Sequence, residues 1–380
     1  MSDGPGVREE YFLDRPMDVE AEQEAADAPL EALEQPWNPV DIRVSSKNFS
    51  IRNVLDMIDE DELELAPDFQ RNKVWKPGQR SRLIESILLQ IPLPAFYFAA
   101  DRDGSMKVVD GLQRLSTIHA FARESANQFA LSDLEYLRNE QGKTFADLPV
   151  AWRRRFYQTQ LVVHVIDAET PSQIKYDIFK RINTGGTPLN TQEIRHCMSK
   201  RRSREFLKDC AHHPAFAQAV GSSFVDHLRM ADRELVLRFC AFRLLGVDRY
   251  EGAMDPFLDE ALTVLDDPGK VGDARLAELR AEFVEAMTMA RKVFGDNAFR
   301  KWPWNATSRY PVNRALFESW ATALAAHPEA IDGREETIVR RARDLMTNDG
   351  FYLEAITTST GDVRKVRYRF GTASEVVSSA

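Results

Sequence analysis

The spacing of apolar residues along the chain changes near residue 200. Before it, short β-branched runs mix with helical stripes, and after it strand signals nearly vanish. Ser50 precedes a helix with Ile51, Val54, Leu55 and Ile58 on one face. Leu63 and Leu65 alternate about Glu64 as a short strand, and Pro67–Arg71 is a polar loop anchored by Phe69. Pro77 opens a helix striped by Leu83, Ile84, Ile87, Leu88 and Ile91, which Pro92 and Pro94 stop. Ala95–Ala100 and Lys107–Asp110 read as a hairpin, with turns at Asp103-Gly104 and Asp110-Gly111 bounding the second strand. Leu115, Ile118, His119 and Ala122 then recur at helical spacing, with Gln113, Arg114 and Thr117 on the other side. Leu131–Tyr157 reads as a peripheral helical stretch, and Leu161–Ile166 as a buried strand with His164 as a core histidine. A helix carrying Ile174, Tyr176, Ile178, Phe179 and Ile182 ends at Asn183-Thr184-Gly185-Gly186. Asn190 opens another, with Glu193 placed to reach back to the cap.

Beyond Arg202 three stripes predict a helical domain: Leu235, Phe239 and Phe242; Leu276, Leu279, Phe283 and Met287; Leu316, Phe317, Trp320 and Leu324. Val363–Phe370 alternates weakly, so an edge strand or a phosphate-facing basic segment is expected there, followed by ten loose residues. No internal repeat stands out.

Charge changes the picture only once it is divided. The net charge is −9, and residues 1–36 alone hold eleven acidic and two basic residues. The remaining chain is neutral, so the acidity belongs to a tail expected to be disordered. A neutral body removes the argument against nucleic acid as a partner without making one for it. No apolar run approaches the ~18 residues of a spanning helix, so no membrane is expected. Three cysteines in no CxxC pair, with no secretory pattern at the N-terminus, suggest a cytoplasmic protein without a disulfide framework.

The chemistry concentrates at Lys107–Phe121, where a strand hands over to a helix through Gly111. Free N–H groups at a helix start favour an anion, Gly111 allows close approach, and Arg114 offers a planar fork. The turn is therefore a candidate phosphate site. Basic runs at Arg153-Arg154-Arg155, Lys200–Arg204 (with Arg201 and Arg202) and Arg364–Arg369 are candidate DNA contacts. His196, Cys197, Cys210, His212 and His213 fit no common zinc spacing.

Several of these pieces, in order over residues 67–195, resemble the N-terminal domain of GmrSD-type restriction systems, a ParB/sulfiredoxin-like fold. The family's Asp-Gly-Gln-Gln-Arg motif stands here as Asp110-Gly111-Leu112-Gln113-Arg114. Upstream are Phe69-Gln70-Arg71, Trp75 and Glu85-Ser86-Ile87; downstream are Phe179, Ile182-Asn183, Gly186, Leu189 and Glu193-Ile194. Leu112 departs from the family's first Gln, and Ile182 stands where ParB proteins have an acidic residue. No cluster of the HNH-nuclease kind follows.

The residue patterns and the resemblance together predict an α+β protein: an acidic tail (1–40), a ParB/sulfiredoxin-like nucleotide-binding domain on a small mixed sheet (41–200), a helical domain (201–370) and a loose end (371–380). It implies a nucleoside triphosphate bound with Mg2+ and hydrolysed, in a restriction or phage-defence system acting on foreign or modified DNA. Gly111, Arg114 and Thr117 would bind phosphates with Gln70, Arg71 and Asn183, while Asp110 would bind Mg2+ or, like Gln113, orient water. Partners would be nucleotide, DNA and a separate nuclease subunit, with oligomerisation open. Two alternatives stay open. One is a metal-dependent nuclease using Asp68, Asp110 and Glu193; the other is a non-catalytic DNA-binding or partner-binding adaptor.

Overall fold

A computed structural model describes residues 8–12, 14–22, 38, 42–65, 75–101, 104–123, 129–182 and 190–379. Gln70, Arg71, Asp68 and Asn183 lie outside the described residues. The architecture is α+β and divides into two compact units: Glu34–Met198 carries a mixed sheet, and Ser199–Ala380 joins the N-terminal segment in a helical unit. Among the described residues no helix is long and apolar enough to cross a membrane.

The chain starts with a hairpin, β1 (Glu9–Phe12) and β2 (Arg15–Glu20), which belongs to the helical unit. Disorder over residues 1–40 is therefore corrected for residues 8–22. Low apolar content was a sound reason to expect a tail, but here carboxylates do the anchoring. Asp18 takes both arms of the Arg300 guanidinium at 2.6 and 2.8 Å. Glu20 accepts from Lys301 at 2.6 Å and Asn313 at 2.9 Å, and Glu10 from Arg314 at 2.7 Å. Met17 and Val19 enter the core, and backbone bonds join Glu20 and Asp18 to Val312.

In the sheet unit, β3 (Val44–Ser50) leads into α1 (Ile51–Asp59), whose Asn53 N–H bonds the Ser50 side chain. Then follow β4 (Leu63–Glu64), α2 (Pro77–Leu88), β5 (Phe96–Ala100), β6 (Met106–Asp110) and α3 (Leu112–Ala122). The unit closes with α4 (Val150–Gln158), β7 (Gln160–Ile166), α5 (Ser172–Ile182) and α6 (Thr191–Met198). Strand order is β3-β7-β5-β6-β4, with β7–β5 and β6–β4 parallel and the other pairs antiparallel. Leu161, Val163, Val165, Phe96, Phe98 and Val108 bury one face. Phe121 packs edge to face on Phe145 and Phe156, which are tilted against each other, with centroids 5.2–6.0 Å apart.

The stretch expected to be helical over Leu131–Tyr157 is irregular before Val150, apart from one 3-10 turn at Arg138–Glu140. Its backbone is held instead by Glu85 of α2, a buried carboxylate that accepts from the N–H groups of Glu135 (3.1 Å), Tyr136 and Leu137 (2.7 Å each). The Glu of the Glu85-Ser86-Ile87 run is thus a loop anchor.

The helical unit comprises α7 (Arg201–Ala211), α8 (Pro214–Val220), α9 (Ala231–Leu244), α10 (Met254–Leu265), α11 (Asp273–Phe294), α12 (Arg314–Ala326), α13 (Glu335–Asn348), α14 (Gly350–Ala355) and α15 (Val363–Ser378). The stripes read from the sequence fall on α9, α11 and α12 and meet in one core. Where an edge strand and a loose end are expected, Val363–Ser378 forms a single helix. Asp362 caps it through Arg364 N and Lys365 N, and Val366, Phe370, Ala373 and Val377 are buried at helical spacing. Two of its basic residues, Lys365 and Arg369, point inward and so cannot face phosphates.

Candidate active site

Strand β6 ends at Asp110, and Gly111 turns the chain into α3 with φ +95°. Only glycine is at ease there. A Cβ would also lie 2.3 Å from Cδ1 of Phe96, so the turn packs directly on a core ring. Gly111, as the cap residue, brings no side chain to the start of α3, whose first turn is the positive end of an 11-residue helix. Leu112, in place of the family's glutamine, is buried, so its position calls for an apolar side chain.

Arg114 reaches back rather than out. Its guanidinium lies 4.2 Å above the Phe96 ring and donates to Asp110 Oδ2 at 2.8 Å, to the Ala95 carbonyl at 3.2 Å and to the Pro94 carbonyl. Burial pushes its pKa down, and Asp110 offsets part of that. The side chain is 13% exposed against 35% for Asp110. Among the described residues Asp110 accepts this bond at Oδ2, and it is the more exposed member of the pair. The pair thus divides its labour: Arg114 fixes the carboxylate, and the carboxylate faces outward.

The structure brings Asp110, Gly111 and Arg114 together and keeps Gln113 half-buried beside them. It does not bring Thr117. That side chain is buried two turns along α3, and its hydroxyl donates to the Gln113 carbonyl at 2.8 Å, which leaves no surface for a phosphate. Glu193 is buried in the capping box read from the sequence: Asn190 N–H bonds its carboxylate at 2.7 Å, and Glu193 N–H bonds Asn190 Oδ1 at 2.8 Å. Among the described residues no three His, Cys, Asp or Glu side chains group as a metal site. A carboxylate cluster of the kind a nuclease needs is therefore not assembled from them.

The basic runs separate by use. Arg154 is exposed and Arg153 half-exposed on α4, while Arg155 donates to the Leu88 carbonyl at 3.3 Å and lies over Trp152. Arg201 pairs with Glu205 at the surface, and Arg202 is tied to the Val271 carbonyl (2.7 Å) and Asp273 (3.0 Å).

Sequence reasoning missed Tyr97 and misplaced His164. Residues 161, 163 and 165 face the core, which puts His164 on the opposite face of β7, where it is half-exposed against the Tyr97 ring. Strict alternation would have found this, but apolar Val162 and Ile166 beside it hid the polar side of the strand.

No curated protein matches the chain. Residues 51–199 match the family model for the GmrSD restriction endonuclease, N-terminal domain, and this part of the chain is similar to that domain.

Proposed function

We propose that the sheet unit binds a nucleoside triphosphate at the Asp110–Arg114 turn and hydrolyses it, as the switch of a restriction or phage-defence system acting on foreign or modified DNA. The restriction context comes from the family match. The observation that carries the nucleotide reading is the start of α3 behind Gly111, which brings no side chain of its own to cap it, flanked by a partly exposed carboxylate that a more deeply buried arginine holds. Phosphate oxygens would meet the first-turn N–H groups, a favourable match of charge and donor geometry.

The donor set fits Mg2+ only in part: Asp110 supplies one carboxylate oxygen and no protein cage surrounds it among the described residues. One carboxylate plus substrate phosphates is the usual way such an ion is held, so Mg2+ would arrive with the nucleotide and neutralise its charge. Gln113, half-buried in the first turn of α3, would orient the attacking water in this reading.

The test is calorimetry of the full chain with each of the four nucleoside triphosphates and Mg2+, followed by phosphate release with and without DNA. Arg114→Ala would release the Asp110 carboxylate from its fixed position and remove a buried positive charge beside the phosphates, and is expected to weaken binding by about tenfold or more. Unchanged affinity in that variant would remove the site from the mechanism.

A further inference from the structure

Tyr97 of β5 and His164 of β7 are direct partners in the parallel ladder, and their rings stand 4.9 Å apart at an interplanar angle of 41°. Ser46 of β3 is the antiparallel partner of His164, so three side chains line up across three strands. The row lies on the sheet face opposite Phe96 and Phe98, and Val162 on the same face is 43% exposed. At its other end Tyr97 faces Asp110 across the β5–β6 ladder, where a register shift interrupts the pairing beside the Gly111 turn. Such bulges re-aim side chains near functional sites.

The polar atoms of this row are not spent. Among the described residues, neither the Tyr97 hydroxyl, nor a ring nitrogen of His164, nor the Ser46 hydroxyl makes a hydrogen bond. Tyr97 and His164 are half-buried and Ser46 is exposed, and half-buried polar groups in a folded protein normally have partners, protein or water. Two aromatic rings and three uncommitted hydrogen-bonding groups therefore face outward about one to two strand spacings, roughly 5–10 Å, from Asp110. Along the row the character changes from apolar at Val162, through aromatic at His164 and Tyr97, and the ladder partner of Tyr97 on the next strand is the ionic Asp110. A nucleotide changes in the same order, from base to phosphates.

We propose that Tyr97 and His164 are the base-binding residues of this site: the planar base of the bound nucleotide lies against their rings, and the Tyr97 hydroxyl, His164 nitrogens and Ser46 hydroxyl read its edge. This rests on the nucleotide reading of the Asp110–Arg114 turn and adds to it the part of the ligand that the turn cannot recognise. Rings of this kind hold any base by stacking, while the hydrogen-bonding edge selects among bases. The base can belong to a free nucleotide or to a single strand of nucleic acid, since both present the same ring.

Calorimetry on the full chain with Mg2+ separates these parts, using the four nucleoside triphosphates, inorganic tripolyphosphate and a single-stranded oligonucleotide. Tyr97→Ala is expected to weaken nucleotide binding about ten- to a hundredfold and to leave tripolyphosphate binding unchanged. Tyr97→Phe and His164→Gln, which preserve bulk and fold, should restore or keep most affinity while flattening the preference among bases. Equal affinity of the wild type for nucleotide and tripolyphosphate, or equal loss of both in Tyr97→Ala, overturns the base-binding role and leaves the phosphate site standing. Binding of the oligonucleotide alone, weakened by Tyr97→Ala, keeps the role, assigns it to a strand and overturns the triphosphate reading. Failure of the wild type to bind any of the three overturns both.

Discussion

Each unit of this chain contains an arginine fixed by a carboxylate, and the two arrangements do opposite things. In the helical unit Glu318 is wholly buried between two guanidiniums, accepting from Arg238 at 2.9 Å and from Arg369. Arg238 also pairs with Glu234 and Glu22, and Arg314 with Glu10 and Glu234. Burial alone would lower the pKa of Arg238, but the three carboxylates outweigh it and hold it well above the ordinary value. There the charges answer one another. In the sheet unit the Asp110–Arg114 pair is one-sided, with the arginine covered and the carboxylate facing out. The same chemistry thus serves structure where the charges pair with one another inside the fold, and offers a site where a carboxylate is left partly to solvent.

The sharpest way to break the comparison is to unbalance the buried network. Glu318→Ala leaves Arg238 and Arg369 buried without their shared partner and should cost about 3–5 kcal/mol, read as a lower denaturant midpoint for the helical unit. Replacing Glu318, Arg238 and Arg369 together with apolar residues of similar volume should recover most of that loss, since the desolvation of three charges disappears with them. If the single variant were as stable as the wild type, the network would be incidental to the fold.

How much of this was legible depends on the range over which the cause acts. The stripes of α9, α11 and α12, the Ser50 cap and the β5–β6 hairpin follow from spacing and turn residues within a dozen positions, and they stand as expected. The hairpin at residues 9–20 could not be read that way, because what orders Asp18 and Glu20 is Arg300 and Lys301, about 280 positions away. Val363–Phe370 misled for a related reason: a buried Arg369, answering Glu318, looks like a solvent-facing residue in the sequence and disguises a helical stripe as alternation. At the candidate site, Gly111 and Asp110 were legible from the turn. The inward aim of Arg114 was not, since it depends on the Pro94 and Ala95 carbonyls and the Phe96 ring.

A smaller effect tests whether carboxylates also shape the sheet unit. Burial pushes the Glu85 carboxyl up, but the N–H groups of Leu137, Tyr136 and Glu135, with Arg82 nearby, outweigh it, and the net direction is down. A depressed carboxyl contributes stability that is complete above its unfolded value, near 4.3, and is lost as pH falls through the folded one. Glu85→Ala should cost about 3 kcal/mol by orphaning backbone donors, and should speed amide exchange at residues 135–137 more than elsewhere. Glu85→Gln should lose less and flatten the acid limb of the stability profile. Unchanged exchange at those three amides would show that the loop holds itself.

The smallest expected effect separates cations that are spent from those that are not. Arg202 donates to Val271 and Asp273 and has little left for a phosphate, whereas Arg154 is exposed on α4 beside half-exposed Arg153. Arg201 is intermediate, because its surface pair with Glu205 is of a kind worth only about 0–1 kcal/mol and is readily exchanged for another anion. Each arginine that neutralises a DNA phosphate adds about 0.9 to the slope of log affinity against log salt. Arg153→Ala with Arg154→Ala should therefore lower that slope by up to about 2, Arg201→Ala by at most about 1, and Arg202→Ala not at all. A large fall in slope for Arg202→Ala alone would mean that its bonds to Val271 and Asp273 yield to DNA, and that a cation with partners inside the fold can still serve an interface.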